Sequence, residues 1–331
     1  MLGHLVKFAG AKLVEADDQG AHFFGGAWTE LKLRAVSDYL TFYTTALQRR
    51  PSTETPFRKW YIDAFAGTGE RTEERTVGGL LEGEPTRRER IQLEGSARRA
   101  LKVEPAFQHY LFIEANPARF QALERLKQEY PSKDIRCLRG DANDELRALF
   151  TSPPWTVGST RASLQRAVVF LDPYGMNVRW ATLELLAETK RADVWYLFPL
   201  HAALRQLAHE HGAVDETKRA ALTEVFGTAD WEEEFYRESC EARDLFDFDT
   251  TSRKRVADPG KVESFARRRL ESIFTFVSEP IPLLARRGLH QFSLFLATGN
   301  ESTHAIELIK RGVAAQVKKY GGQASRRKFV R

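Results

Sequence analysis

Between residues 29 and 49 the apolar positions Leu31, Leu33, Val36, Tyr39, Leu40, Tyr43 and Leu47 recur at helical spacing. The spacing predicts a leading helix with Thr29 as its N-cap and Pro51 just past its stop. Beyond it the apolar runs shorten. Strand-like runs at 60–65, 109–113, 135–138, 168–171 and 194–198 alternate with helical patterns at 117–130, 144–150 and 180–189. The runs at 168–171 and 194–198 are apolar without a break, as strands buried on both faces are. The tail reads differently. Strand-like segments at 274–284 and 291–298 flank Ala285-Arg286-Arg287-Gly288, where Gly288 supplies a turn, and a helix over 302–319 closes the chain.

Strands alternating with helices predict a mostly parallel sheet covered on both faces. With an antiparallel hairpin at its end, this describes an α/β, Rossmann-like class I methyltransferase fold with a seven-stranded sheet. A nicotinamide-type Rossmann domain lacks that hairpin. The expected domain runs over 25–331, after an N-terminal extension at 1–24. A helical insertion at 200–272, with helical patterns at 202–211, Glu216–Phe226 and 262–273, follows the fifth strand and is placed for substrate or partner recognition. Residues 70–100, rich in Arg, Glu and Gly, fit no element of the minimal plan.

Ligands in such sheets sit at the carboxyl ends of the strands. The first strand ends in Asp63-Ala64-Phe65-Ala66-Gly67-Thr68-Gly69. Gly67 and Gly69 allow a ligand close to the backbone, Ala66 lies between strand and glycines, and Asp63 can accept from a cofactor's amino group, directly or through water. Arg71 and Thr72 follow where a dinucleotide fingerprint needs a third glycine, which argues against NAD. The second strand ends at Glu114, which can accept from two ribose hydroxyls; the competing reading is a helix cap before Asn116 and Pro117. The third ends at Asp141-Ala142, where Asp141 can accept from an adenine amine or cap the next helix. Three acidic positions at successive strand ends suit S-adenosylmethionine (SAM).

The fourth strand ends in Asp172-Pro173-Tyr174-Gly175. The lone pair of an exocyclic amine is delocalised into its ring, so the nitrogen is a poor nucleophile. The Asp172 carboxylate and the Pro173 carbonyl can hold its two N–H groups, and Tyr174 offers a stacking face worth roughly 1–3 kcal/mol. These three are the candidate catalytic residues. The scheme needs no metal. His201, after the fifth strand, is read as an edge residue rather than a catalyst.

Composition narrows the classes. The chain has 331 residues, 42% hydrophobic and 29% charged, as in ordinary globular proteins. No apolar run approaches the roughly 20 residues that span a bilayer, and no apolar core follows the N-terminal Met1-Leu2-Gly3-His4 as a signal peptide requires. With two distant cysteines, Cys137 and Cys240, the expected location is the cytoplasm. The net charge of +5 permits nucleic acid as a partner without requiring it. Candidate phosphate contacts are Arg87, Arg88, Arg90, Arg98 and Arg99, and the runs Arg253-Lys254-Arg255, Arg267-Arg268-Arg269 and Arg326-Arg327-Lys328.

The segments from Lys59 to Gly69, Phe112 to Asn116 and Leu171 to Gly175, with Gly95-Ser96 before a helix, resemble the bacterial three-Cys-motif partner family over residues 25 to 320. The resemblance implies a class I methyltransferase-like fold and a radical-SAM-like partner protein carrying three cysteines. Asp-Pro-Tyr-Gly is also similar to the Asp-Pro-Phe-Gly of tRNA guanine N2 dimethyltransferases. It lacks the second proline of most adenine-N6 and cytosine-N4 enzymes. The expected activity is SAM-dependent methylation of an exocyclic amine on a nucleobase of RNA or DNA. The alternatives are a small-molecule or protein N-methyltransferase and a non-catalytic SAM-binding partner subunit.

Overall fold

A computed structural model of the chain describes residues 12–13, 27–79, 84–156, 162–238, 253–285 and 288–321. Most of the extension at 1–24, Cys240, Arg286 and Arg287, the run 326–328 and the side chains of Arg87, Arg88 and Arg90 lie outside the described residues. After a two-residue strand, β1 (Lys12–Leu13), comes helix α1 (Ala27–Ala46). It begins two residues before the expected cap. Thr29 therefore lies in the first turn, buried, rather than at the N-cap. Leu33, Val36, Tyr39, Leu40 and Tyr43 are buried, as their spacing predicts.

Strand β2 (Arg58–Asp63) is followed by two strands that the hydrophobic pattern did not reveal, β3 (Glu70–Gly79) and β4 (Glu84–Glu94). They form an antiparallel hairpin, with β1 on the other edge of β4. The register sets Glu74 opposite Arg90 and Arg75 opposite Glu89.

The alternation then resumes with α2 (Ser96–Leu101), β5 (His109–Ile113), α3 (Pro117–Glu129), β6 (Ile135–Leu138), α4 (Ala142–Phe150), β7 (Gln165–Leu171), α5 (Trp180–Glu188) and β8 (Ala192–Phe198). The segment after β8 holds α6 (Leu200–Gln206), α7 (Glu216–Phe226), α8 (Trp231–Phe235), the paired strands β9 (Tyr236–Glu238) and β10 (Arg253–Arg255), and α9 (Pro259–Glu271). Strands β11 (Phe276–Val277), β12 (Ile281–Leu284) and β13 (His290–Thr298) and helix α10 (Thr303–Gln316) complete the fold.

The main sheet runs β6-β5-β2-β7-β8-β13, with β11 and β12 both paired to the outer edge of β13. The first five strands are parallel; β13 is antiparallel to β8. This is a mixed α/β, Rossmann-like fold, a mostly parallel sheet with helices on both faces. The sheet has eight strands rather than seven because the expected strand at 274–284 is broken. Pro280 has no N–H to donate. At the break Ser278 continues the pairing, donating its N–H to the Leu296 carbonyl at 2.8 Å and accepting the Leu296 N–H on Oγ at 3.0 Å. At the hairpin turn Gly288 has φ +76°.

Each sheet face carries its own core. One face packs against α4 to α9, where Phe198, Phe226, Phe235 and Phe265 meet ring to ring. Helix α7 ends there on Gly227, with φ +66°, where a Cβ would run into the Trp180 ring. Gly227→Ala is expected to cost about 2–4 kcal/mol through strain and overpacking, read as a lower urea midpoint at constant m-value. The opposite face packs against α1, α2, α3 and α10. There Gly312 of α10 lies against the Phe42 ring of α1, and Asp38 accepts from Lys319 Nζ and Tyr320 Oη, each at 2.6 Å.

Candidate functional site

Because β2, β5, β6 and β7 are parallel, their carboxyl ends share one edge of the sheet. The chain leaving β2 continues its neighbours' ladders: the Ala64 N–H donates to the Phe170 carbonyl and the Ala66 N–H to the Ile113 carbonyl, each at 3.0 Å. The turn then tightens through Gly67 (φ +62°) and Gly69 (φ +75°), conformations that disfavour any side chain. A Cβ on Gly69 would lie 2.6 Å from Leu126 Cδ2, so packing as well as backbone requires glycine there.

Glu114 braces this loop. It is 6% exposed; its Oε2 accepts the Gly67 N–H at 3.0 Å and its Oε1 the Asn116 N–H at 2.8 Å. The helix cap is Asn116, whose Oδ1 accepts the N–H groups of Ala118 and Arg119. Glu114 is thus not needed as a cap, and each of its oxygens keeps a further lone pair. Asp141 does cap its helix: Oδ1 accepts the N–H groups of Asn143 at 3.0 Å and Asp144 at 3.3 Å, so α4 begins at Ala142 instead of Asp144. Asp141 stays exposed, while Ala142 beside it is buried. Asn143, which the motif reading passed over, joins the third and fourth strand ends. Its amide donates to Asp141 Oδ1 and the Asn177 carbonyl and accepts from the Arg179 N–H and the Thr182 hydroxyl.

Asp63 is fully buried beneath the loop, hydrogen-bonded to Tyr61 Oη at 3.3 Å and the Phe65 N–H at 3.4 Å. Burial pushes its carboxyl up to about 7, against the hydrogen bond from Ser96 and with the Asp172 charge adding to the rise. The folded state therefore holds this proton where the unfolded chain, at about 4, has lost it. Its contribution to stability is fully present below pH ~4 and is lost as pH rises to about 7. Asp63→Asn is expected to remove up to about 4 kcal/mol of that decline, measured as the difference between the two urea-stability curves from pH 4 to 7.

At the end of β7, Asp172 is part-buried and Pro173 is buried. Tyr174 is 52% exposed, but its ring reaches across to the neighbouring loop. A Cβ on Gly67 would lie 3.9 Å from Tyr174 Oη, and the Arg119 guanidinium sits 4.7 Å from the ring centroid. Burial of the hydroxyl and the nearby Glu114 and Asp172 carboxylates raise the phenol above its ordinary range, opposed by Arg119. The structure thus gathers Ala66, Gly67, Glu114, Tyr174 and Asp172. His201 is half-buried in the first turn of α6, just past the carboxyl end of β8.

Lys32 of α1 was not among the sequence candidates. Its Nζ donates to Asp172 Oδ2 at 2.5 Å, with the two side chains 5% and 22% exposed. The signal was present in the pattern: Lys32 stands four residues after Trp28 and four before Val36, a charge on the apolar stripe.

The basic runs are largely engaged within the chain. Arg98 bridges Glu70 and Glu129, and Arg99 meets Glu30, each at 2.7 Å. Arg253 meets Glu233, and Arg255 donates to the Leu207 carbonyl. Arg267 pairs with Glu279, Arg268 with Glu234, and Arg269 donates to the Phe226 carbonyl. Among the described residues, no helix is long and apolar enough to cross a membrane.

No protein-family model matches the chain, so the likeness to the three-Cys-motif partner family rests on its motifs alone. No curated protein matches it. Among solved structures it is similar to the Legionella pneumophila protein LPL1258, at 13% identity over 89% of this chain and 93% of that one, with a TM-score of 0.43. It is also similar to a spermidine synthase in complex with the transition-state analogue AdoDATO, at 10% identity over 89% and 65% of the two chains, with a TM-score of 0.38. A SAM-dependent methyltransferase from Clostridium acetobutylicum follows at 9% identity over 81% and 92%, with a TM-score of 0.33. These likenesses are too distant to carry a function.

Proposed function

We propose that this chain is a SAM-dependent methyltransferase acting on an exocyclic amino group of a nucleobase in RNA or DNA. The observation that carries the reading is the approach of Asp172-Pro173-Tyr174-Gly175 to the glycine turn, with Tyr174 Oη beside Gly67 and Glu114 held by the Gly67 N–H.

The residues present fit SAM. Glu114 has lone pairs left for two ribose hydroxyls, the positive-φ turn at Gly67 leaves room for a ligand close to the backbone, and the exposed Asp141, beside Ala142, would accept from the adenine amine. Bound there, SAM supplies an electrophilic methyl group. Asp63, wholly buried, sets the turn from below. Asp172 and the Pro173 carbonyl each accept one N–H of the target amine, which localises its lone pair on nitrogen, and the proton the amine gives up on methylation passes to the Asp172 carboxylate and from there to water. Tyr174 offers its exposed face to the base. Orientation and oriented acceptors account for the rate without a covalent intermediate.

One observation favours a second reading, a small-molecule or protein N-methyltransferase: Arg98, Arg99 and the runs at 253–255 and 267–269 are engaged by internal partners. Methyl-labelled SAM offered with RNA, DNA, nucleosides and protein extract, with and without a three-cysteine radical-SAM-like partner, separates the readings. Label on a nucleobase amine, with binding that weakens steeply in salt, supports the first. Label only on free amines or protein supports the second. No label anywhere overturns both.

A further inference from the structure

We infer that Lys32 is a positioning residue for the amine acceptor: it fixes the Asp172 carboxylate by one oxygen and leaves the other aimed at the target. The inference rests on the role of Asp172 proposed above. Four observations support it. Lys32 Nζ meets Oδ2 of Asp172 at 2.5 Å, and that oxygen is its carboxylate partner. The lysine is the buried member of the pair, while Asp172 keeps access to solvent. Lys32 Nζ also lies 5.3 Å from the Trp28 ring centroid and 5.9 Å from that of Phe170, so two aromatic faces flank the ammonium. Trp28 in turn packs on Phe292 of β13 at 4.9 Å, which anchors this wall to the sheet.

Stability does not account for the pair. Taking an ammonium out of water costs several kcal/mol, and apolar residues of similar volume often do as well or better. The position is on an apolar stripe where Met would pack. An ammonium has donors only, so Lys32 cannot hold the target N–H itself. What it does is stop the Asp172 carboxylate from rotating. A misplacement of about 1 Å in such a group costs on the order of 10²-fold in rate.

The test is Lys32→Met and Lys32→Ala in the full chain. Lys32→Met is expected to keep the melting temperature and the SAM dissociation constant within about threefold while kcat falls on the order of 10²-fold at little change in acceptor KM. Ethylamine, which fits the space left in Lys32→Ala, is expected to restore part of kcat. Independently of activity, wild type is expected to show a lysine ammonium NMR resonance protected from exchange, absent in Lys32→Met and lost or shifted in Asp172→Asn. Wild-type kcat in Lys32→Met, with Asp172→Asn inactive, overturns the role of Lys32 and leaves that of Asp172 standing. Loss of SAM binding and thermal stability together with kcat, without amine rescue, reduces Lys32 to scaffold and overturns the inference. A wild type that methylates no acceptor overturns the function itself, and this positioning role with it.

Discussion

Asp172→Asn is expected to lower methyl transfer about 10³-fold and to leave SAM affinity within threefold. The asparagine keeps the shape of the side chain and one carbonyl oxygen. It also turns an amide N–H toward one of the two places where a donor now sits, either Lys32 or the target amine. An acceptor that becomes a donor loses a charge-assisted bond of about 1.5–3 kcal/mol and adds a repulsion. Asparagine is preferred to alanine for a structural reason. Alanine would strand the Lys32 ammonium, 5% exposed, without its carboxylate. Removing one member of a buried pair costs on the order of 3–5 kcal/mol, so Asp172→Ala would mix lost folding with lost chemistry. The double variant Lys32→Met, Asp172→Ala removes both charges and is expected to recover stability while remaining inactive. Single-turnover transfer and isothermal calorimetry on the same preparations separate these effects. Full transfer by Asp172→Asn would remove the amine-acceptor role.

Glu114→Gln is expected to weaken SAM binding about 10²-fold, nearly as much as Glu114→Ala, measured by calorimetry on the apo protein. The near-isosteric change is severe because both carboxylate oxygens already accept backbone N–H groups, Oε2 from Gly67 and Oε1 from Asn116. A glutamine presents one oxygen and one NH₂, so one of those N–H groups must face another donor. The glycine turn loses its brace and the ribose loses an acceptor in the same substitution. Equal affinity for SAM in wild type and Glu114→Gln would move the nucleoside site away from β5.

These sites were legible because their strands obey a simple rule. The runs at His109–Ile113 and Ala192–Phe198 end where the apolar residues end, since buried parallel strands admit little else. The turn at Gly67 and Gly69 and the acidic strand ends could be read for the same reason. The hairpin Glu70–Gly79 and Glu84–Glu94 could not: its sequence is mostly Arg, Glu and Thr, and its few apolar residues, Val77, Ile91 and Leu93, are too sparse to set a strand period. Asp141 satisfied two readings at once in sequence, and only the hydrogen bonds to Asn143 and Asp144 reveal the cap. The arginine runs looked like a polyanion surface because sequence hides partners such as Glu129, Glu279 and Glu234. Lys32 needed tertiary contact, for nothing local ties position 32 to position 172.

Helix α1, which carries Lys32, is fastened by the far end of the chain: Asp38 is bound by Lys319 and Tyr320, more than 280 positions away, and Phe42 receives Gly312. During synthesis α1 leaves the ribosome long before α10, which fastens it. A nascent chain can complete the parallel strands and the glycine turn long before α10 emerges. The acidic strand ends can thus assemble before α1, which carries Lys32, is fastened by α10 and the turn after it.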